Sequence, residues 1–386
     1  MSLPVELHGH GQAIWLDSIS AKMLQSGELE RLIRSGTVYG VTSNPTIFGQ
    51  AIEKNDGDYS DRLHQLAEEG RDAFGIYDEL TRADIAAGAD LFRPVFAKSP
   101  VDGWISLEVL PSLAHDTAGT VAEARRLTGL LGRPNVFIKV PATPSGCEAI
   151  RSLIGSGVSI NVTLMFNRKH YRDVAEAYLS GLERLAASGG DLSKVHSVAS
   201  FFVSRVDTAV DRSLDELSAS ASGTAKARLS SLKGKAALAN SKVVYQDFLA
   251  LFGDRFKPLA AKGARVQRPL WASTGTKNPA YSDLLYVENL IGPDTVNTIP
   301  EKTLAALLDH GRCPGDTVLA GVDEARRTLD ALREVGIDVE AIGERLQTDG
   351  VGAFAASYDE LLATIEKRRM AFLEEMASTR KISTKA

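Results

Sequence analysis

Asn135-Val136-Phe137-Ile138-Lys139-Val140-Pro141 is a short run of β-branched and aromatic residues that ends in proline. This composition predicts a fully buried strand, yet the strand carries a lysine near its end. An ammonium group in a low-dielectric interior is costly unless it is paired or loses its proton. Lys139 is therefore predicted to belong to a buried ion pair, to be a neutral amine kept for chemistry, or to reach solvent at the strand end.

Short apolar or β-branched runs of this kind recur along the chain between longer segments of helical periodicity. Such alternation of strand and helix is typical of a parallel sheet. Eight strands are predicted, each followed by a helix, which is the number in a closed (β/α)8 barrel. The predicted strands span residues 12–16, 37–42, 103–107, 135–141, 159–164, 194–199, 266–272 and 294–298.

The segments outside these strands define the domain organisation. The barrel is predicted to span about residues 12–310, with a mostly helical insertion at 218–264. Residues 315–376 contain three helical stretches that are predicted to cover one end or flank of the barrel, and residues 377–386 are predicted to form a frayed tail. Since no repeat, low-complexity tract or linker indicates a second domain, the fold class is α/β: a single (β/α)8 TIM-type barrel domain over residues 1–386 with additional C-terminal helices.

The composition and net charge of the chain limit the kinds of protein and of binding partner that need to be considered. The 386 residues are 44% hydrophobic and 24% charged, which is typical of a globular protein. The net charge of −5 does not favour a nucleic-acid or membrane partner, and no stretch has the apolar length of a membrane span. Two cysteines, Cys147 and Cys313, fit a reducing compartment, and the first residues lack a signal peptide pattern. We expect a cytoplasmic protein, either a monomer or a homodimer.

The predicted strand ends carry polar side chains almost throughout. In a (β/α)8 barrel the active site lies at the carboxyl ends of the strands, where such residues converge. The predicted set contains two carboxylates, a lysine and several hydroxyl and amide groups directed at one space. The stability of the fold does not require such a set, which therefore indicates a functional site. These residues are Asp17, Thr42, Asn44, Glu108, Lys139, Asn161, Thr163, Ser200, Ser273 and Asn297.

These residue types predict lysine imine chemistry. A neutral lysine amine attacks a ketone to give an imine, whose protonated form withdraws electrons and permits cleavage of the neighbouring carbon–carbon bond. Glu108 is the candidate to shuttle protons during imine formation, directly or through a water held by Thr163, and Asp17 the candidate to take the hydroxyl proton as the bond breaks. The two assignments could be exchanged, and the structural alternative is an ion network of Lys139, Glu108 and Asp17 that plugs the barrel.

Phosphate binding is expected from the later loops of the barrel, where Arg205, Ser273 and Lys277 lie. Arg205 could equally form a surface ion pair. Phe202 would form a hydrophobic floor under the imine or belong to the core. No metal site and no cofactor are predicted, and His8-Gly9-His10, which has no partner at zinc-like spacing, is predicted to lie in a disordered tail.

The sequence resembles a known family, the transaldolases, in their longer bacterial form. Seven motifs carry the resemblance in the right order, cover every barrel strand except the last, and extend the resemblance over roughly residues 12–310. The motifs are Trp-Leu-Asp17-Ser, Val-Thr42-Ser-Asn44-Pro-Thr-Ile-Phe, Ile-Ser-Leu-Glu108-Val, Asn-Val-Phe-Ile-Lys139-Val-Pro-Ala-Thr, Ile-Asn161-Val-Thr163-Leu-Met-Phe, Ala-Ser200-Phe-Phe202-Val-Ser-Arg205-Val-Asp and Trp-Ala-Ser273-Thr-Gly-Thr-Lys277-Asn-Pro.

The resemblance implies a role for each matching residue. Lys139 would be the Schiff-base lysine, Asp17 and Glu108 the acid and base, and Thr163 the residue that orders the catalytic water. Asn44, Asn161 and Ser200 would hold the dihydroxyacetone portion of the substrate. The complete set of expected substrate-binding residues is Thr42, Asn44, Asn161, Ser200, Phe202, Arg205, Ser273 and Lys277.

The resemblance also implies the reaction. Family members cleave a ketose phosphate such as fructose 6-phosphate or sedoheptulose 7-phosphate, keep the three-carbon unit as an imine, and pass it to an aldose phosphate acceptor in the pentose phosphate pathway. One alternative is a class I aldolase, which uses the same imine but releases free dihydroxyacetone. Another alternative is a non-catalytic barrel that binds sugar phosphates as a sensor or scaffold.

One position departs from the family pattern. Many members have an arginine two residues after the serine of the seventh strand, whereas this chain has Gly275 there, and the nearest cation is Lys277. Either Lys277 replaces that arginine as a point charge, or Arg205 provides most of the phosphate binding. Because lysine lacks the planar fork of arginine, phosphate geometry is expected to be looser at this site.

Overall fold

The computed structural model describes residues 2–53, 57 and 59–383, with side chains described through residue 379. Its centre is a closed barrel of parallel strands in which strand order follows chain order and the first strand pairs with the eighth. The predicted (β/α)8 TIM-type barrel is therefore confirmed. The strands are β1 Gln12–Leu16, β2 Gly40–Val41, β3 Trp104–Glu108, β4 Val136–Pro141, β5 Ile160–Met165, β6 Ser197–Phe202, β7 Arg268–Ala272 and β8 Thr295–Ile299.

Helices surround the barrel, and their ends follow local sequence signals. Asn44 caps the helix that begins at Pro45, as predicted, because its Oδ1 accepts a hydrogen bond from the backbone N–H of Ile47 at 3.0 Å. The α-helices are α1 Leu3–Gly9, α2 Ala21–Gln25, α3 Glu28–Arg34, α4 Pro45–Glu53, α5 Ser60–Glu68, α6 Ala73–Lys98, α7 Thr117–Leu131, α8 Pro144–Ile154, α9 Arg168–Ala187, α10 Ser204–Ser218, α11 Gly223–Leu232, α12 Ala236–Leu251, α13 Lys257–Ala260, α14 Leu285–Asn289, α15 Glu301–His310, α16 Val322–Glu334 and α17 Val339–Ser383.

Two strands, the second and the sixth, differ from their predicted bounds by three residues at one or both ends, and the other strands by at most two residues. The second strand has only two regular residues, Gly40 and Val41. A Cβ at Gly40 would lie 2.5 Å from the Trp15 ring, so only glycine permits this close approach. The sixth strand begins three residues later than predicted, because Asp191 caps a short 3₁₀ turn at Leu192–Lys194. That strand also continues to Phe202, three residues past its predicted end at residue 199.

The C-terminal region contains two α-helices where three helical stretches were predicted for residues 315–376. The last helix, α17, continues through the predicted tail as far as residue 383, while residues 384–386 lie outside the described part of the chain. It packs against α10, the end of β5, and α4 to α6. Because β5 and these helices surround the carboxyl ends of the strands, α17 lies across that end of the barrel.

The N-terminal segment is ordered, so the predicted disordered tail at His8-Gly9-His10 is wrong. Pro4, in the first turn of α1, favours helix formation there. His8 stacks on Tyr39 with ring centroids 4.0 Å apart, and its Nε2 lies 2.9 Å from the carboxylate of buried Asp102. These contacts attach α1 to the amino end of the barrel, away from the carboxyl ends of the strands.

Candidate active site

Lys139 lies in β4, where the parallel register determines its neighbours. Its backbone is paired with Glu108 on β3 and with Asn161 on β5. The residue is only 4% exposed, so the alternative of a lysine that reaches solvent is wrong. Its Nζ donates a hydrogen bond to the Ser43 carbonyl at 3.1 Å and lies 3.4 Å from Glu108 Oε2. A buried amine in contact with a carboxyl group is compatible with both an ion pair and a neutral nucleophile.

Glu108 is the carboxyl group beside this amine and is 8% exposed. Its Oε2 makes no well-aligned hydrogen bond within the described part of the chain. Burial raises the pKa of Glu108, and the charge of Lys139 opposes that rise. A carboxyl group with a raised pKa retains its proton to higher pH than an ordinary glutamate does, which suits a residue that shuttles protons near neutral pH.

Asp17 follows β1 and forms part of a short hydrogen-bond chain. Thr42 Oγ1 donates to Asp17 Oδ1 at 2.6 Å and shares a 2.7 Å hydrogen bond with Thr298 Oγ1. Because Thr42 has a single hydroxyl proton, Thr298 donates to it. Removal of water by the surrounding protein raises the pKa of Asp17, while the charge of Lys139 and the Thr42 hydrogen bond oppose the rise. Asp17 is thus an oriented carboxyl group, and its Oδ2 has no side-chain hydrogen-bond partner among the described residues.

A second hydrogen-bond chain runs beside the lysine. Ser200 Oγ donates to Asn161 Oδ1 at 2.7 Å, and Asn161 Nδ2 donates to Ser106 Oγ at 2.9 Å. Thr163 Oγ1 is buried and has no hydrogen-bond partner among the described residues. An unpartnered buried hydroxyl needs a polar partner, so Thr163 is able to hold a water or a substrate hydroxyl at this place.

A cavity of about 320 Å³ joins most of the predicted site residues. This volume falls in the usual range for small-molecule sites. Glu108 and Asn161 are buried and do not line it, although Glu108 is close to Lys139 and Asn161 is hydrogen-bonded to Ser200. The predicted residues that line the cavity are Asp17, Thr42, Asn44, Lys139, Thr163, Ser200, Phe202, Arg205, Ser273 and Lys277.

The basic residues of the cavity lie toward its later strands. Arg205 is half-buried, and its guanidinium carbon lies 5.4 Å from the centre of the Phe202 ring. Burial lowers the pKa of Arg205 somewhat, and no carboxylate of the described residues lies within ion-pair distance of it. The surface ion pair considered from the sequence is therefore not formed. Lys277 is exposed at the rim, next to Gly275, where its charge is free to meet a phosphate.

Eight residues that line the cavity were not predicted as site residues, and two of them, Thr298 and Phe354, bear on the chemistry. The eight are Thr46, Ile47, Gln50, Ala272, Gly275, Thr298, Pro300 and Phe354. Asn297 was the residue predicted on β8, but it is fully buried, accepts a hydrogen bond from Thr274 and does not line the cavity. Its neighbour Thr298 does line the cavity. Since Thr298 was the last residue of the predicted strand, its polarity at that place was the available signal. Phe354, from α17, also lines the cavity, and no pattern in the sequence indicated this contact.

Within residues 2–53, 57 and 59–383 there is no group of three or more histidine, cysteine, aspartate or glutamate side chains placed to hold a metal ion. Among the helices of the same ranges, none combines the length and apolarity needed to cross a bilayer.

Comparisons with known proteins add to this geometry. The family model described as Transaldolase/Fructose-6-phosphate aldolase matches residues 14–365. The chain is 49% identical over 363 residues to a protein named Transaldolase 1 from Streptomyces coelicolor, covering 94% of this chain and 93% of that protein. It is 48% identical over 364 residues to a Transaldolase from Acidothermus cellulolyticus, covering 94% and 95% of the two chains.

Proposed function

Because this chain belongs to the transaldolase/fructose-6-phosphate aldolase family, we propose that it acts as a transaldolase. It transfers a dihydroxyacetone unit from a ketose phosphate, sedoheptulose 7-phosphate or fructose 6-phosphate, to glyceraldehyde 3-phosphate or erythrose 4-phosphate. This reaction belongs to the pentose phosphate pathway. The observation that carries the proposal is the buried amine of Lys139, which lines the cavity and lies 3.4 Å from Glu108 Oε2.

The first half of the reaction forms the imine. The Lys139 amine adds to the ketose carbonyl carbon C2, and the carbonyl oxygen takes a proton to give a carbinolamine. Glu108, directly or through a water held by Thr163, then protonates that hydroxyl, which leaves as water and produces the iminium. Glu108 suits this step because burial raises its pKa and so keeps a proton available.

The second half breaks and remakes a carbon–carbon bond. Asp17 takes the proton of the C4 hydroxyl, the C3–C4 bond breaks, and its electron pair moves toward the iminium to leave an enamine on Lys139 while the aldose phosphate departs. The enamine carbon C3 then attacks the acceptor aldehyde, whose oxygen recovers the proton from Asp17. Water adds to C2 and the C2–N bond breaks, which releases the new ketose phosphate and the free amine. Ser200, Asn44 and Asn161 are proposed to hold the three-carbon unit, with Asn161 acting mainly through its hydrogen bond to Ser200.

The direct test is borohydride reduction of the protein in the presence of fructose 6-phosphate, followed by peptide mass mapping. A three-carbon adduct on Lys139 is expected, and addition of erythrose 4-phosphate before the borohydride should remove it as sedoheptulose 7-phosphate appears. Free dihydroxyacetone as the main product would indicate the class I aldolase instead. Sugar-phosphate binding without any adduct would support the non-catalytic barrel and overturn the proposal.

Phosphate binding by Lys277 gives a separate prediction. Lys277→Ala should raise KM for fructose 6-phosphate by about 5- to 30-fold with a smaller change in kcat, because one charged contact to the phosphate is lost. Steady-state kinetics with fructose 6-phosphate and with unphosphorylated fructose would measure this, and only the phosphorylated donor should be affected. Lys257→Ala is a suitable control, since Lys257 pairs with Asp254 at the surface. An unchanged KM would assign the phosphate to Arg205 alone.

The expected setting of the enzyme completes the proposal. We propose small sugar phosphates as its partners, a cytoplasmic location, and a monomer or a homodimer. The charge of −5 supports the absence of a nucleic-acid partner. Size-exclusion chromatography with light scattering would separate the two oligomeric states.

A further inference from the structure

The C-terminal helix α17 lies outside the residues covered by the seven family-like motifs, yet it is attached directly to the strands of the active site. Gln347 is buried, and its Nε2 donates to the carbonyl oxygens of Ala142, just after β4, and of Leu164, near the end of β5, both at 3.0 Å. These are the strands that carry Lys139 and Thr163. The helix is therefore fixed to the two strands whose side chains surround the reacting amine.

The contact between α17 and β5 is close. Leu164 has a φ of +61°, a left-handed conformation that is strained for a branched side chain. Gly350 of α17 sits against this residue, and a Cβ there would lie 3.0 Å from the Leu164 side chain. The absence of a side chain at Gly350 thus lets the helix approach the end of the strand.

The other half of α17 is attached across the mouth of the barrel. Arg368 donates hydrogen bonds to the carbonyl oxygen of Ile52 in α4 and to Ser60 Oγ at the start of α5, both at 2.8 Å. Together with Gln347, this contact holds the helix on both sides of the reaction cavity. Of the described residues of α17 between these two points, Phe354 lines the cavity.

Phe354 occupies that central part of α17, two turns after Gln347 and one turn after Gly350, on the same face of the helix. It is 6% exposed, and the centre of its ring lies 5.7 Å from Lys139 Nζ. Its side chain lines the reaction cavity and also a small apolar pocket that includes Glu108. An apolar ring therefore covers the amine where it would otherwise meet solvent.

We propose that Phe354 is a positioning residue that determines the fate of the covalent intermediate, by keeping solvent away from the three-carbon adduct on Lys139 until an acceptor arrives. The proposal rests on the proposed imine mechanism and adds to it the reason why this barrel transfers the unit and does not release it. Through Phe354, the helix α17 affects catalysis, although the barrel fold itself does not need this helix.

The two fates of the intermediate differ in what bonds to the enamine carbon C3. Release requires that the enamine carbon C3 takes a proton from solvent, that water then adds to the iminium carbon C2, and that the C2–N bond breaks to give dihydroxyacetone and the free amine. Transfer requires that C3 bonds to the acceptor aldehyde, whose oxygen takes the proton held by Asp17, after which water adds to C2 and the C2–N bond breaks to give the new ketose phosphate and the free amine. Only release therefore needs a proton from solvent at C3. Because both routes consume the same enamine, exclusion of solvent by the ring favours transfer.

The test measures the ratio of dihydroxyacetone released to three-carbon units transferred, with fructose 6-phosphate as donor and erythrose 4-phosphate as acceptor. Phe354→Ala should raise this ratio by about tenfold over the wild type, and Phe354→Leu, which retains most of the packing, by a smaller factor. Leu361→Ala is the matched control, because Leu361 is a buried residue of the same helix that does not line the cavity. It should leave the ratio unchanged even if it lowers the melting temperature.

Each outcome of this test decides one question. An unchanged ratio in a folded, active Phe354→Leu or Phe354→Ala protein would overturn the role of Phe354. An equal rise of the ratio in Leu361→Ala would also overturn it, because it would show that a general loosening of α17 causes release. If Phe354→Ala does not fold, the Phe354→Leu ratio alone decides the matter. Failure of the wild type to form an adduct on Lys139 would instead overturn the imine mechanism, so the two failures are distinguishable.

Discussion

Transfer should disappear when Lys139 is replaced by alanine or methionine, with a fall in kcat of at least about 10⁴-fold, because the imine has no other place to form. Among the described residues that line the cavity, the only other primary amine belongs to Lys277, which lies exposed at the rim. The borohydride adduct should disappear with the activity. Coupled assay of glyceraldehyde 3-phosphate production and mass mapping measure the two effects independently.

The Lys139→Met protein is expected to remain folded and to bind fructose 6-phosphate, since methionine fills the space of the lysine stem. Removing the lysine charge removes the group that opposes the raised pKa of Glu108. A buried carboxyl group with a raised pKa binds its proton more tightly in the folded state, so stability from this group is present at low pH and declines as pH rises through the folded-state pKa. As pH rises, the melting temperature of the Lys139→Met protein should therefore fall more steeply than that of the wild type.

If Lys139→Ala or Lys139→Met retains turnover, Lys139 is not the residue that forms the imine.

The sequence was sufficient to predict the barrel and the central part of the site, for a physical reason. Strands of a parallel barrel place their carboxyl ends together, so Asp17, Glu108 and Lys139 had to converge once the strands were recognised. The register confirms this most directly for Glu108 and Lys139, which are paired on neighbouring strands. The Asn44 cap was also predictable, because a cap depends only on residues next to it in the chain.

Features that depend on distant residues were not predictable in the same way. The choice of Asn297 over Thr298 was an error of one residue in strand orientation, and a one-residue shift moves a side chain to the other face of the sheet. Phe354 meets Lys139 only because α17 crosses the barrel, and helical periodicity shows a helix but not where it docks. His8 was assigned to a disordered tail because its partner, Asp102, is far away in the sequence.

The roles of Asp17 and Glu108 should be distinguishable by the reaction step at which the variant of each residue stops. Asp17→Asn and Glu108→Gln are each expected to lower kcat by about 10²- to 10⁴-fold with smaller effects on KM, as lost proton transfer requires. Asp17→Asn should still form the imine but not break the C3–C4 bond. Borohydride should therefore trap the entire six-carbon ketose phosphate on Lys139, in place of the three-carbon unit. Glu108→Gln should form any adduct slowly.

The pH dependence of kcat provides a second way to distinguish the roles of Asp17 and Glu108. Asp17 must be ionised to take the hydroxyl proton, so activity should fall as pH drops through its pKa. Because desolvation raises that pKa, the fall should begin at higher pH than for an ordinary aspartate. If Asp17 is this base, the acid limb of the kcat profile should disappear in Asp17→Asn and persist in Glu108→Gln. A three-carbon adduct in Asp17→Asn, together with a six-carbon adduct in Glu108→Gln, would exchange the two roles, because only the residue that accepts the C4 hydroxyl proton is needed to break the bond.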